Sequence, residues 1–337
     1  MAKKKTRAKK IPALPALKKE DRALLDGVRK GNIRAIARAI SMAESGLAEA
    51  RALAGAIYRL AGRAHVIGLT GVPGSGKSTM VRALARTLRD SGRTVGIVAI
   101  DPSSPFSGGA ILGDRVRMTD ISGDPGVFIR SMATRGALGG LSAATLDAVD
   151  VLDAAGFDVV LIETVGVGQD EVDIVRAAHT VVVVSAPGLG DEVQAIKAGV
   201  LEIADIHVVS KCDRSDANKT ISDLKGMLSL ETRLGGHKAG SWKVRVMPTS
   251  AEKGQGIEDL LKIIDAHRDH LRQSGEMNAR RRRILETRIL KTAEDIVRAR
   301  FRASRESHVA DVVAKVAART SDPHAAAVRL LKAFHGD

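Results

Sequence analysis

An α/β architecture, with a doubly wound and mostly parallel sheet between helical extensions, follows from three features of this 337-residue chain. Short apolar runs recur between helix-like stretches from His65 to Pro248. A glycine-rich loop joins the first of those runs to the first of those helices. Segments with apolar residues at helical spacing stand before and after this region. Alternating strands and helices imply a parallel sheet covered on both faces. Right-handed crossovers then gather the carboxyl ends of the strands at one edge, where open sheets bind ligands.

Residues 1–19 are basic, carry Pro12 and Pro15, and read as a flexible tail. Residues 20–63 read as a helical region: Leu24, Leu25 and Val28 share one face, and Ile33, Ile36, Ala37 and Ile40 continue the pattern. Gly31-Asn32 punctuates two short helices, and Ser45-Gly46 marks the start of another. Val66–Thr70 reads as the first strand and Lys77–Asp90 as a helix. Val95–Ile100 follows, ending at Asp101-Pro102, and then Val159–Ile162, Val181–Ser185, Ile206–Ser210 and the weaker Val244–Pro248. These strands belong to a domain spanning 64–272, and residues 273–337 return to charged helical patterning as a C-terminal arm.

Composition removes several classes. A lone cysteine, Cys212, rules out a disulfide framework and a multi-cysteine metal site, and fits a reducing cytoplasm. No run approaches the roughly 18 apolar residues of a membrane span. The opening MAKKKTRAKK has no apolar segment after it and is no secretory signal. The net charge of +14 invites a nucleic-acid partner. However, eight of the basic residues precede the first acid, Glu20, and blocks of like charge are usually solvated tails. With aromatics at 2%, a stacking platform for single strands is not expected. Trp242 and Tyr58 read as packing residues.

Gly71-Val72-Pro73-Gly74-Ser75-Gly76-Lys77-Ser78 matches G-x-x-x-x-G-K-[ST] between a strand and a helix, the context that gives the pattern meaning. Glycines let backbone N–H groups turn inward on phosphate oxygens, in a cradle running from Gly71 through Gly74, Ser75 and Gly76 to Thr79. Lys77 reaches the β- and γ-phosphates, and the Ser78 hydroxyl binds Mg²⁺. Asp101 and Glu163 each follow an apolar run, as expected of a carboxylate near Mg²⁺, which takes hard oxygen ligands. The plainer alternative for either acid is a cap or a turn residue. Gly166 would bring a backbone N–H to the γ-phosphate.

Ser210-Lys211-Cys212-Asp213 follows the strand at Ile206, where many GTPases carry Asn-Lys-x-Asp. An Asp carboxylate accepts both N1–H and N2–H of guanine, a donor pair that adenine lacks. Lys211 would lie along the base, and Thr249-Ser250-Ala251 resembles the loop whose Ala N–H meets O6. In order and after strands, these residues favour GTP over ATP. Ser210 is the departure: an Asn there bonds both base and phosphate loop, and Ser has one arm fewer. Weakened guanine affinity, or a water in place of the amide, is expected. Cys212 fills the variable position as a small packing residue.

With these motifs the chain resembles the MeaB/ArgK/MMAA family, GTPases that serve cobalamin-dependent acyl-CoA mutases, over about residues 20–335. Asp101 to Pro105 and Gly108 to Arg115 resemble its first switch, continued by Phe128-Ile129-Arg130-Ser131 and Leu138-Gly139-Gly140. Glu163 to Gln169 resembles the second switch and Gly190 to Gly199 the third. The resemblance implies a P-loop NTPase fold of the SIMIBI type, with GTP or GDP and Mg²⁺ as ligands. Ser78, Asp101, Asp114 and Glu163 would form the Mg²⁺ environment. Asp191 and Lys197 would couple nucleotide state to the partner, and the C-terminal helices would make a homodimer arm. Hydrolysis would be slow and partner-stimulated. It would gate adenosylcobalamin loading and protect an acyl-CoA mutase, methylmalonyl-CoA mutase or a relative. Cobalamin is expected on that client, since no Asp-x-His-x-x-Gly motif occurs here.

Lys77, Glu163 and Gln169 are the candidate catalytic residues. Gln169 would position water, against the alternative of an ordinary switch residue. Arg115, Arg117, Arg130 and Arg135 sit in switch-like loops, and none is singled out as a charge stabiliser. A metal-delivery GTPase of the urease or hydrogenase type shares the fold but usually needs clustered Cys or His. The nine histidines here are scattered, with His65, His179 and His207 flanking strands. The basic ends would also suit an RNA- or ribosome-associated GTPase, and the phosphate loop alone would suit a non-enzymatic scaffold that binds nucleotide.

Overall fold

The structure, a computed structural model, describes residues 17–45, 50–101, 118, 120–133, 142–164, 173–188, 202–231, 240–303 and 309–334. The chain divides into two compact units, Met1–Ile284 and Leu285–Asp337. The first opens with α1 (Lys19–Arg29), α2 (Ile33–Ser45) and α3 (Ala50–Tyr58). It continues with β1 (His65–Thr70), α4 (Lys77–Asp90), β2 (Val95–Asp101), β3 (Val127–Ala133), α5 (Ala143–Ala154), β4 (Val159–Glu163) and a 3-10 turn at Ile174–Arg176. Then come β5 (Thr180–Ser185), β6 (Ile206–Val209), α6 (Ala217–Glu231), β7 (Arg245–Pro248) and α7 (Ile257–Gln273). Helix α8 (Glu276–Ala303) runs through the division, and the second unit adds α9 (Ala310–Ala317) and α10 (Pro323–Phe334).

Seven strands form one sheet in the order β3-β2-β4-β1-β5-β6-β7. Every pair is parallel, with Leu69 and Ala99 both opposite Glu163. Central strands β1 and β4 are buried along their whole length, which is why they read as unbroken apolar runs. Successive side chains point to opposite faces. Val66, Val160 and Val181 join α1, α2, α3 and α5 in one core, built on Val28, Ile36, Ile40, Leu53 and Leu152. Ile67, Leu161 and Val182 join α4 and α7 in the other, on Met80, Leu84, Leu88, Leu260 and Ile264.

The predicted strands and the Lys77–Asp90 helix are present, with no end moved by more than one residue. The break at Gly31-Asn32 has a physical cause: Gly31 takes φ +68°, and the Asn32 carboxamide oxygen accepts the Ala35 N–H at 3.0 Å. One assignment is corrected. Phe128 to Ser131, grouped with the first switch, lies within β3, an edge strand in full register with β2. An edge strand has a neighbour on one side only, so β3 is less completely covered than β1 and β4, and the half-buried Arg130 and Ser131 interrupt its apolar run.

A buried polar network occupies the amino-terminal ends of β1, β5 and β6. His65 Nε2 is 2.8 Å from Thr180 Oγ1, which is 2.9 Å from His267 Nδ1. His267 Nε2 lies 3.3 Å from the Asp205 carboxylate. Asp205 also accepts the Val181 N–H at 2.8 Å and both arms of Arg280 at 2.6 and 2.5 Å. Arg280 donates to the His179 carbonyl at 2.9 Å, and the Trp242 indole N–H to the Asp205 carbonyl at 2.8 Å. Burial, reinforced by neighbouring cations, lowers His179 to about 4. It also lowers His267 to about 4, although Asp205 pulls the other way. His65 is pushed well below its ordinary value by burial and by the nearby His179, Arg268, His267 and Arg272.

Candidate functional site

The loop from Gly71 to Gly76 turns at the carboxyl edge of β1 and opens α4. Gly71, Gly74 and Gly76 take φ of +137°, +78° and +90°, a region that favours glycine. At Gly71 the need is also spatial: a Cβ would fall 2.1 Å from the Val184 carbonyl oxygen of β5. Gly76 is the N-cap of α4 and, having no side chain, makes no side-chain cap bond to the first turn, which opens at Lys77. An anion at that helix start would meet inward N–H groups and a favourable dipole. Ser75 is buried, and its Oγ has no hydrogen-bond partner among the described residues. Lys77 is 6% exposed, and its ammonium donates to the Gly71 and Val72 carbonyls at 2.7 and 3.1 Å. A loop that already gathers an ammonium around its carbonyls places that charge where phosphates of a bound nucleotide would need it.

Glu163 ends β4 beside β1, and the Ser78 hydroxyl donates to its Oε1 at 2.6 Å. Behind it, Thr164 donates through its N–H to the Leu69 carbonyl at 3.1 Å and through its hydroxyl to Thr70 Oγ1 at 3.0 Å. These bonds fix the angle at which the chain leaves β4. A hydroxyl and a carboxylate in contact are a hard-oxygen pair that fits Mg²⁺, an ion that keeps several waters and completes its shell on substrate phosphates. Asp101 ends β2, one strand from Glu163. Among the described residues, no three His, Cys, Asp or Glu side chains form a metal-sized cluster.

The candidate base loop follows β6 and leans on the phosphate loop. The Ser210 N–H donates to the Ser185 carbonyl at 2.8 Å, and its hydroxyl to the Ser75 carbonyl at 2.6 Å. Lys211 stands at φ +52°, unusual for a side-chain-bearing residue, and its ammonium donates to the Gly74 carbonyl at 3.0 Å. The Cys212 N–H donates to the Thr249 carbonyl at 2.9 Å, which ties this loop to the one after β7. There Ser250 and Gln255 exchange backbone bonds at 2.9 and 3.0 Å, and Ala251 packs against the core beneath α7. The Ser250 hydroxyl and the Lys253 ammonium, 3.0 Å away, hold the Asp213 carboxyl below the usual carboxylate range. Ionised, Asp213 is an acceptor only, suited to a pair of N–H donors. Burial pushes the half-buried Cys212 thiol up.

The structure thus brings Gly71, Gly74, Ser75, Gly76, Lys77, Ser78, Thr79, Glu163, Ser210, Lys211, Asp213, Ser250 and Ala251 to one edge of the sheet. Asp114, Gly166, Gln169, Asp191 and Lys197 lie outside the described residues, as do Arg115, Arg117 and Arg135. Arg130 is corrected: it stands in β3 and bonds Ser41 at 3.0 Å and Glu44 of α2, an attachment to the helical layer. Sequence reasoning missed Lys253, whose partner is 40 positions back, and the bond between Thr70, which ends β1, and Thr164, which follows β4, because the two are far apart in the chain.

Comparison with known proteins agrees with this geometry. Residues 36–306 match the model of the family described as methylmalonyl Co-A mutase-associated GTPase MeaB. A relative from Pyrococcus abyssi is 46% identical across 93% of this chain and 96% of its own. The mitochondrial methylmalonic aciduria type A homolog of Mus musculus is 32% identical across 92% of this chain and 79% of its own. Among solved structures, one named LAO/AO transport system kinase superposes with a TM-score of 0.69 at 26% identity, covering 96% of this chain and 100% of the other. The parallel sheet and its phosphate loop are those of a P-loop NTPase with a SIMIBI-type G domain.

Proposed function

The chain belongs to the MeaB family of methylmalonyl Co-A mutase-associated GTPases, and from that premise we propose a Mg²⁺-dependent GTP hydrolase that attends an adenosylcobalamin-dependent acyl-CoA mutase. It gates cofactor loading on that mutase and protects it from inactivation. The observation that carries the hydrolase reading is the hydroxyl–carboxylate contact between Ser78 and Glu163, at the same sheet edge as the guanine-type loop at Asp213; the mutase client rests on the family.

In this reading the cradle from Gly71 to Thr79 binds the phosphates through backbone N–H groups, and Lys77 moves from the loop carbonyls to the β- and γ-phosphates. Ser78 and Glu163, with Asp101 and Asp114, hold Mg²⁺. The ion, once bound, supplies charge neutralisation at the γ-phosphate. Gly166 donates to the γ-phosphate and Gln169 orients the attacking water. Asp213 accepts guanine N1–H and N2–H, the Ala251 N–H meets O6 beside Ser250, and Lys211 lies along the base. Asp191 and Lys197 report the nucleotide state to the mutase, and contacts that order a loop around the γ-phosphate provide such a switch. Intrinsic hydrolysis is slow and rises when the partner orders these loops.

A homodimer joined through the C-terminal helices completes the proposal. Helix α8 supports it with Ile289 and Ile296, and Leu290 and Val297, large apolar side chains that are exposed, each pair one heptad apart. The division into a tail over 1–19, a helical region over 20–63, a G domain over 64–272 and an arm over 273–337 is part of the same proposal, as is a cytoplasmic setting. No helix among the described residues is long and apolar enough to cross a membrane. Phosphate release from GTP and from ATP, with Mg²⁺ and with a chelator, tests the enzymatic half. Release from GTP alone and only with Mg²⁺ is expected; equal turnover of ATP contradicts it.

A further inference from the structure

Ser210 is where this chain departs from Asn-Lys-x-Asp, and its contacts give it a definite task. It is 3% exposed, its N–H is bound to Ser185, and its hydroxyl donates to the Ser75 carbonyl at 2.6 Å. A serine hydroxyl has one proton to give. With that proton on Ser75, the oxygen can only accept, whereas guanine offers acceptors at N7 and O6 on the edge an asparagine amide would donate to. The neighbouring Lys211 also spends a donor on the phosphate loop, at the Gly74 carbonyl 3.0 Å away. Consecutive residues therefore brace consecutive carbonyls of one loop. The loop tie of an asparagine is kept here, and its base-reading arm is not.

We propose that Ser210 is a positioning residue that latches the phosphate loop, and that N7 of the purine goes unread, leaving base selection to Asp213 and the Ala251 N–H. The proposal rests on the guanine-nucleotide reading above. Two consequences separate it from a merely structural role. Replacing N7 by carbon, in 7-deaza-GDP, removes an acceptor that this protein does not use. Restoring an amide by Ser210→Asn creates a donor that does use it.

The test is competitive binding of GDP, 7-deaza-GDP and ADP to the full chain and to Ser210→Asn and Ser210→Ala, with thermal melts to establish folding. The unaltered protein is expected to bind GDP and 7-deaza-GDP equally, within about twofold. Ser210→Asn is expected to prefer GDP by about three- to tenfold, the worth of one hydrogen bond. Ser210→Ala is expected to bind both more weakly by a similar factor, their ratio staying near one. Discrimination against 7-deaza-GDP by the unaltered protein, with GDP still preferred to ADP, would overturn this assignment alone; a water bridging Ser210 to N7 would produce that result. Equal binding of GDP and ADP would overturn the guanine reading and the assignment with it. The unaltered chain decides the matter even if the larger Asn is not accommodated.

Discussion

Replacing Lys77 by methionine separates what this lysine does for the fold from what it does for a nucleotide. In the fold its ammonium is nearly buried and donates to the Gly71 and Val72 carbonyls at 2.7 and 3.1 Å. Charged hydrogen bonds contribute about 1.5–3 kcal/mol each, so the pair is worth about 3–6 kcal/mol. Withdrawing an ammonium from water costs several kcal/mol, and the two terms offset. Lys77→Met keeps the aliphatic stem, so the nucleotide-free protein should change in stability by no more than about 2 kcal/mol. Against phosphate oxygens the balance differs, because the anion compensates the buried charge. Losing one charge-assisted contact of about 1.5–3 kcal/mol weakens GDP and GTP roughly 10- to 150-fold. Denaturant unfolding of the nucleotide-free protein measures the first quantity and calorimetric GDP titration the second. A GDP dissociation constant unchanged within about twofold would refute the phosphate assignment. A loss of more than about 4 kcal/mol without nucleotide would make Lys77 a loop brace instead.

Three further outcomes follow from the same geometry. Glu163→Gln keeps an acceptor for the Ser78 hydroxyl, so melting should move little, while the Mg²⁺ concentration for half-maximal GTP turnover rises about tenfold or more; an unchanged Mg²⁺ dependence would remove Glu163 from the metal site. The folded state holds His65, His179 and His267 neutral with depressed pKa values, about 4 for the last two, whereas the unfolded chain binds protons below about 6.5. Stability is therefore full above about pH 6.5 and falls as pH drops towards 4; melting curves should track this, with a shallower slope in His267→Gln. Arg280→Met leaves the Asp205 carboxylate buried without its bidentate partner and should cost about 3–5 kcal/mol in denaturant unfolding. Adding Asp205→Asn should recover part of it, and a single-variant cost below about 1 kcal/mol would place this pair with ordinary surface ion pairs.

What was legible in the chain was local and repetitive. The strand Val66–Thr70, the loop at Gly71–Gly76 and the helix from Lys77 stand in one stretch, and each residue type carries its own reason to be there. Buried parallel strands such as Val159–Glu163 announce themselves as apolar runs because both faces are covered. The edge strand Val127–Ala133 did not, since polar residues at 130 and 131 broke the run and its sequence also resembled a switch. The histidine network was invisible for another reason. His65, Thr180, Asp205, His267 and Arg280 are scattered over more than 200 positions and converge only when the strands align at one edge. At the candidate site, Asp213 was found from its motif, but the Ser250 and Lys253 groups that keep it ionised depend on how two loops meet. Ser210 was noticed as a substitution; its bond to the Ser75 carbonyl needed the fold.

The central claim is that nucleotide state in this chain is read by an acyl-CoA mutase. Its most direct test is the affinity of the full chain, loaded with Mg²⁺ and either a non-hydrolysable GTP analogue or GDP, for purified methylmalonyl-CoA, isobutyryl-CoA and 2-hydroxyisobutyryl-CoA mutases. The account predicts that one of them binds, with an affinity that differs at least about tenfold between the two nucleotide states, a coupling typical of allosteric proteins. The same mutase should accelerate GTP hydrolysis. Binding of none of the three, or binding indifferent to the nucleotide with hydrolysis unchanged, would contradict it.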